Sequence, residues 1–168
     1  MKVFYGAAIQ GRGDRKERAD INRMLIETIK NSGNDVVTEH TAAETYEDAV
    51  EMLEMAFGKL PKDPQERTNA NRTNIIDALS GDVDAAIFDV TVPSLGTGIE
   101  IAHAYIRPKL GLKEIPILLL YNKSYGAELS GMVRGMSKAE LPNVVMMEFS
   151  TPEEAQGIIK AFFEEIKG

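Results

Sequence analysis

The sequence contains no cysteine. Disulfides, thiolate nucleophiles and cysteine-ligated metals are therefore excluded, and a reducing compartment is the default expectation. Histidine is nearly as scarce, with 2 in 168 residues. His40 and His103 stand apart and without a clustered carboxylate pattern, a poor basis for a metal site, so no metal or other cofactor is expected. Positive charge is in deficit as well: 19 Lys and Arg against 26 Asp and Glu leave a formal net charge of -7. That balance argues against a surface that wraps a nucleic-acid polymer, although backbone amides and a few basic side chains can still hold a small anion. No apolar run approaches the ~18 residues of a membrane helix. Met1-Lys2 leads directly into a short apolar stretch, without the extended hydrophobic region and cleavage site of a secretory signal. No membrane association and a cytoplasmic location are the expectations. The tripeptide Arg12-Gly13-Asp14 and the acceptor-like Asn71-Arg72-Thr73 have meaning only outside the cell and are read as chance matches. Repeats, low-complexity tracts and linkers are missing too, so one domain over residues 1–168 is expected.

What is present is an alternation of apolar strands with amphipathic helices. Lys2 to Ile9 (KVFYGAAI) reads as a buried strand, Gln10 to Asp14 as a glycine-rich turn, and Ile21, Met24, Leu25 and Ile29 recur at helical spacing up to Ser32-Gly33. Val36 to His40 reads as a second strand, and Tyr46, Val50, Leu53 and Phe57 mark the next helix. Leu60 to Arg67, with two prolines and mixed charge, reads as a long loop before a helix over Ala70 to Leu79. Asp84 to Val90, Ile115 to Tyr121 and Val144 to Phe149 complete the strands, and Pro152 to Ile166 is the last helix. Strands that are apolar almost throughout and separated by helices imply a parallel sheet covered on both faces. The expected architecture is α/β, a three-layer sandwich on a five-stranded parallel sheet, flavodoxin-like or otherwise Rossmann-type. Ligands of such sheets bind beyond the carboxyl ends of the strands, near the switch in strand order.

Chemistry is therefore sought in the loops at those ends. The loop Ala8 to Gly13 after the first strand offers backbone amides and a possible counter-charge in Arg12, or is a mere turn. His40 ends the second strand, where it either touches a ligand, caps a helix or meets solvent; His103 is read as structural or as a neighbour of the site. After the third strand stands VTVPSLGTGIE, Val90 to Glu100. Ser94 offers a hydroxyl, the Gly96 to Gly98 backbone offers amides, and the following helix start favours an anion. Glu100, taken to lie in the first turn of that helix, either complements the helix dipole or aims a carboxylate into the crevice. After the fourth strand, Leu129 to Gly135 (LSGMVRG) reads as a short helix.

Three segments together, Val37 to Ala43 (VTEHTAA), Val90 to Glu100 and Leu129 to Gly135, resemble the 2'-deoxynucleoside 5'-phosphate N-hydrolases, relatives of the nucleoside 2-deoxyribosyltransferases; the strand and glycine loop from Val3 to Gly13 are similar too. The resemblance implies cleavage of the N-glycosidic bond of a nucleoside 5'-monophosphate to free base and a sugar 5-phosphate. Glu100 matches the family's nucleophile, which forms a covalent glycosyl-enzyme that water resolves. Ser94 matches the serine that receives the 5'-phosphate, where the transferases carry an aspartate that would repel it. His40 matches a substrate-contacting position, and the loop Ala7, Ala8, Ile9, Gln10, Gly11, Arg12 and Gly13 matches the one that embraces the sugar phosphate; Gly96 is a substrate-binding candidate through its backbone amide. Ser130, Gly131 and Met132 match a segment that reaches the neighbouring subunit's site, which implies a homodimer with shared active sites.

Three departures accompany the match. Phe4 stands where the family often has a tyrosine beside the sugar, with Tyr5 next to it and facing the other way by strand alternation. Gln10 replaces the family's loop arginine, two residues before Arg12. The second carboxylate, on the helix before the third strand, is assigned to Asp77, with Asn74 as the fallback. Base exchange by a transferase and ligand sensing without turnover are the rival functions.

Overall fold

The computed structural model describes residues 1–9, 14–125, 129–136 and 140–168. Gln10, Gly11, Arg12 and Gly13 of the candidate anion loop lie outside the described residues.

The strands are β1 (Lys2–Ala7), β2 (Asp35–Val36), β3 (Ala85–Asp89), β4 (Ile117–Asn122) and β5 (Val144–Phe149). They form one sheet in the order β2-β1-β3-β4-β5, with every pairing parallel. The chain therefore runs outward from β1 to one edge and then crosses back, the flavodoxin-like order, and the direction switches between β1 and β3. The helices are α1 (Arg15–Asn31), α2 (Tyr46–Phe57), α3 (Pro64–Ser80), α4 (Leu95–Tyr105), the single turn α5 (Gly131–Arg134) and α6 (Pro152–Lys167).

Side-chain alternation splits the core into two layers. Val3, Tyr5, Ala85, Ile87, Leu118 and Leu120 point to α1 and α6, where Leu25, Ile29, Ile159 and Phe163 meet them. Phe4, Ala86, Phe88, Ile117 and Leu119 point to the other face, against Leu79 of α3 and Ile101 and Ala104 of α4. Both faces of the sheet are thus buried, which is why the strands carry so few polar residues.

Three sequence expectations are corrected. The proline-bearing segment Leu60 to Arg67 is only in part a loop: Asp63 accepts from the backbone N–H groups of Gln65 and Glu66, both at 2.9 Å, and helix α3 begins at Pro64. Proline is favoured at this first helical position because its missing N–H is not needed there. The second strand is Asp35–Val36 alone, and His40 instead opens a 3-10 turn over His40–Ala42. Helix α4 starts at Leu95, so Gly96 and Gly98 are helical and Glu100 sits in the second turn rather than the first. Ser94, the helix's N-cap, is the signal that locates this start: its Oγ accepts from the Thr97 N–H at 3.3 Å.

Candidate active site

The strand order switches between β1 and β3, where ligands of such sheets bind, and Glu100 of α4 lies against β1 beside that switch. A Cβ built on Gly6 would lie 2.7 Å from Oε2 of Glu100 and 2.7 and 2.8 Å from two ring carbons of Phe88. The Glu100 carboxylate therefore rests directly on the backbone of β1, beside a core aromatic ring. Burial there pushes its pKa up from 4.5 to about 7, since a poorly solvated site penalises the charged form. A carboxylate so placed has lost the ordinary role of complementing a helix dipole, which belongs to the first turn.

Ser94 stands at the opposite end of the same helical segment. Its hydroxyl oxygen accepts from Thr97, which leaves the hydroxyl proton to donate outward. The first-turn amides of Leu95 and Gly96 have no place in the helical ladder. Helix start, hydroxyl donor and exposed Gly96 make a small-anion site chemically reasonable.

His40 follows β2, on the side of β1 away from β3. The turn that carries it is clamped to α1: Asn22 Nδ2 donates to the Thr41 carbonyl at 2.8 Å and Arg15 Nη2 to the Thr45 carbonyl at 2.7 Å. Arg23 adds a contact to the Ala42 carbonyl at 3.4 Å and an ion pair with Glu44 at 3.1 Å. His40 is 4% exposed, its Nδ1 has no partner among the described residues, and burial lowers its pKa to about 4. It is a neutral imidazole at physiological pH, able to donate from one nitrogen and accept at the other.

The other expected site residues fall in distinct places. Phe4 is fully buried, its ring 5.8 Å from that of Phe88, on the Glu100 face and one pleat below Gly6. Tyr5 faces α1, where its hydroxyl donates to Asn22 Oδ1 at 2.7 Å. Ala7 and Ala8 are buried at the end of β1, and the Ile9 carbonyl accepts from Arg18 Nη2 at 3.4 Å. Asp77 is on the exposed side of α3, whereas Asn74 is half-buried. His103 pairs with Ser80, Nε2 to Oγ 2.8 Å.

Ser130, Gly131 and Met132 lie across helix α4 from Glu100. Ser130 and Met132 share an apolar groove with Ser94, Leu95 and Ile99, and Glu100 is not part of its lining. Leu95, Ile99 and Met132 are 91%, 62% and 86% exposed, a cluster of large apolar side chains of the kind that marks an interaction surface.

Three residues that sequence reasoning missed matter here. Gly6 was hidden in an apolar strand, although a glycine inside a central strand is itself a sign of close approach by another group. Asn22 looked like a polar residue on a helix, and only tertiary contact shows that it joins β1 to the His40 turn. Asp89 ends a strand that is otherwise apolar; burial raises its pKa, offset in part by bonds from Thr91, whose N–H lies 2.8 Å from Oδ1. It belongs to the α1 face of the sheet, with Ala7, Asn22 and Thr91 around a small cavity.

Comparison with known proteins bears on the same features. The chain is 38% identical over 79 residues to the 5-hydroxymethyl-dUMP N-hydrolase of Branchiostoma floridae, covering 47% of this chain and 67% of that protein. The chain belongs to the 2'-deoxynucleoside 5'-phosphate N-hydrolase family. Relatives of near full length agree: the Esox lucius 5-hydroxymethyl-dUMP N-hydrolase is 29% identical over 98% of this chain and 97% of its own. A Thermofilum pendens protein, provisionally named 2'-deoxynucleoside 5'-phosphate N-hydrolase 1, is 28% identical over 92% of this chain and 90% of its own. No family model matches the chain. No described helix is long and apolar enough to cross a membrane, and no group of three or more His, Asp or Glu that could hold a metal occurs among the described residues.

Proposed function

We propose that this protein is an N-glycosidase that hydrolyses nucleoside 5'-monophosphates, with Glu100 as the nucleophile. The observation that carries the proposal is the withdrawal of the Glu100 carboxylate onto Gly6 at the strand-order switch, on a helix whose N-cap is a serine. The names of the relatives support nucleotide N-hydrolysis and make 2'-deoxynucleotides the first substrates to test.

In this mechanism the ionised Glu100 attacks the anomeric carbon as the bond to the base nitrogen breaks, and the base departs with the bonding electrons and takes up a proton. Water then attacks the anomeric carbon of the glycosyl ester, gives up a proton, and releases sugar 5-phosphate and the carboxylate. Both transition states carry positive charge on the sugar, which a carboxylate in a poorly solvated site stabilises better than one in water. Ser94 and the first amides of α4 receive the phosphate, and the sugar separates the two negative groups. His40, in its neutral form, contacts the substrate from the other flank, as does the loop Ala7 to Gly13. Asp77 is assigned to assisting the leaving base, with Asn74 as the alternative on the more buried side of α3. No cofactor is needed, because side chains supply the nucleophile and the phosphate contacts.

The active form is a homodimer formed through the α4–α5 groove and acting in the cytoplasm. Ser130 and Met132 line that groove beside Ser94, so a partner docked there brings its own copies of them next to the phosphate site.

The test is Glu100→Ala with a panel of ribo- and deoxyribonucleoside monophosphates, scored for free base by chromatography. Loss of base release with nucleotide binding retained is the expected result, and full activity would falsify the mechanism. Adding a second free base separates hydrolysis from transfer: a new nucleotide among the products identifies a transferase. Tight binding by the wild type without any base release identifies a sensor.

A further inference from the structure

We infer that Gly6 is a positioning residue for Glu100: the missing side chain at the carboxyl end of β1 is what lets this carboxylate lie against the strand beside the switch in strand order. The inference deepens the proposed function and rests on it for its catalytic part.

Glycine is costly in a central strand, where it forfeits packing and loses the most backbone freedom on folding. Backbone conformation does not explain it here, since the described glycines with positive φ are Gly33, Gly58 and Gly111. Space does. Among the described glycines only Gly6 would bring a Cβ within 3.0 Å of another atom; the nearest approach at Gly81 and Gly135 is 3.3 Å, and nothing stands near Gly98. The two groups in the way differ in how easily they move. Phe88 is fully buried and stacked at a tilt on Phe4, so its ring has nowhere to go in a close-packed layer. The Glu100 carboxylate ends a flexible side chain on the rim of the sheet. A methyl group at residue 6 therefore displaces the Glu100 carboxylate from β1, and leaves a close contact with the Phe88 ring that the packed layer has to absorb.

Charged neighbours do not set the state of Glu100. Burial alone raises its pKa. Of the ionisable side chains on the packed elements, Glu66, Arg72 and Asp77 of α3 are exposed, Arg67 stacks on Tyr46, His103 of α4 pairs with Ser80, and Asp89 of β3 occupies the opposite face with Tyr5 of β1. Gly6 thus controls both where the carboxylate stands and how dry it is.

The experiment is Gly6→Ala, with the Glu100 carboxyl followed by carbon NMR titration and catalysis followed on a deoxynucleoside monophosphate. The titration midpoint is expected to fall from about 7 towards 4.5. The value of kcat is expected to fall on the order of 100-fold, the effect of an ångström-scale misplacement, with KM little changed. A folded Gly6→Ala protein in which Glu100 still titrates near its wild-type midpoint overturns the inference, whatever the activity. If Gly6→Ala does not fold, Glu100→Asp decides, because it retracts the carboxyl from β1 without adding an atom to the core. A midpoint in the ordinary carboxylate range supports the role of the Gly6 contact, and one still near 7 overturns it. If the wild type releases no base from any nucleotide, the proposed function fails while the titration still judges the role of Gly6.

Discussion

Tyr5 and Asn22 share a buried hydrogen bond of 2.7 Å from phenol to amide oxygen, and the same amide passes the connection on to the Thr41 carbonyl at 2.8 Å. Strand β1, helix α1 and the turn that carries His40 are thereby one mechanical unit. Tyr5→Phe leaves the Asn22 oxygen without its donor in the core, at a cost of about 1–3 kcal/mol. Urea denaturation is expected to show that loss, and steady-state kinetics a rise in KM larger than any fall in kcat.

The rate should depend on the ionisation of Glu100. Burial pushes its pKa up to about 7, and in the proposed mechanism only the deprotonated form attacks. The value of kcat/KM is therefore expected to climb about tenfold per pH unit on the acid side and to level off above neutrality. A profile already flat from pH 5 upward contradicts the assignment of Glu100 as nucleophile.

Stability should run the other way. A carboxyl whose folded-state pKa is raised favours folding while protonated; that contribution is complete below 4.5 and is lost as pH rises through about 7. Glu100→Gln carries no such slope. Comparing the two proteins by chemical denaturation across pH, the variant is expected to gain on the wild type between those limits, by up to about 3 kcal/mol above neutrality. Parallel curves over the whole range would show that Glu100 is not desolvated.

The apolar groove between α4 and α5 predicts the oligomeric state. Ile99 in its lining is 62% exposed, next to Leu95 at 91%. Ile99→Asp introduces a charge that has to be desolvated on association. Sedimentation is expected to show a dimer for the wild type and a monomer for the variant, with activity falling as the dimer is lost. A wild-type protein that is monomeric at all concentrations refutes shared active sites.

The architecture was legible because it depends on patterns local to the chain. Ala85 to Phe88 and Ile117 to Leu120 are apolar on both faces, as a parallel sheet covered on both sides requires. Where propensity and capping compete, the reading was less secure: Pro61 and Pro64 suggested a long loop, yet Pro64 occupies the first turn of α3, where proline is welcome. The same local competition hid the true start of α4, because two glycines in Leu95 to Gly98 imitate a loop while Ser94 caps a helix.

By itself the sequence determined the α/β layering, the helical faces and the presence of a serine and a glutamate after the third strand, since periodicity and residue type are properties of neighbours along the chain. Tertiary structure alone decided what those residues meet. Glu100 acquires its raised pKa from lying on Gly6, 94 positions earlier in the chain, and Ser130 comes to share a groove with Ser94 across a turn of chain that local pattern does not constrain. Solvation and contact between distant segments arise only when the sheet closes, and for a carboxylate nucleophile they set its reactivity.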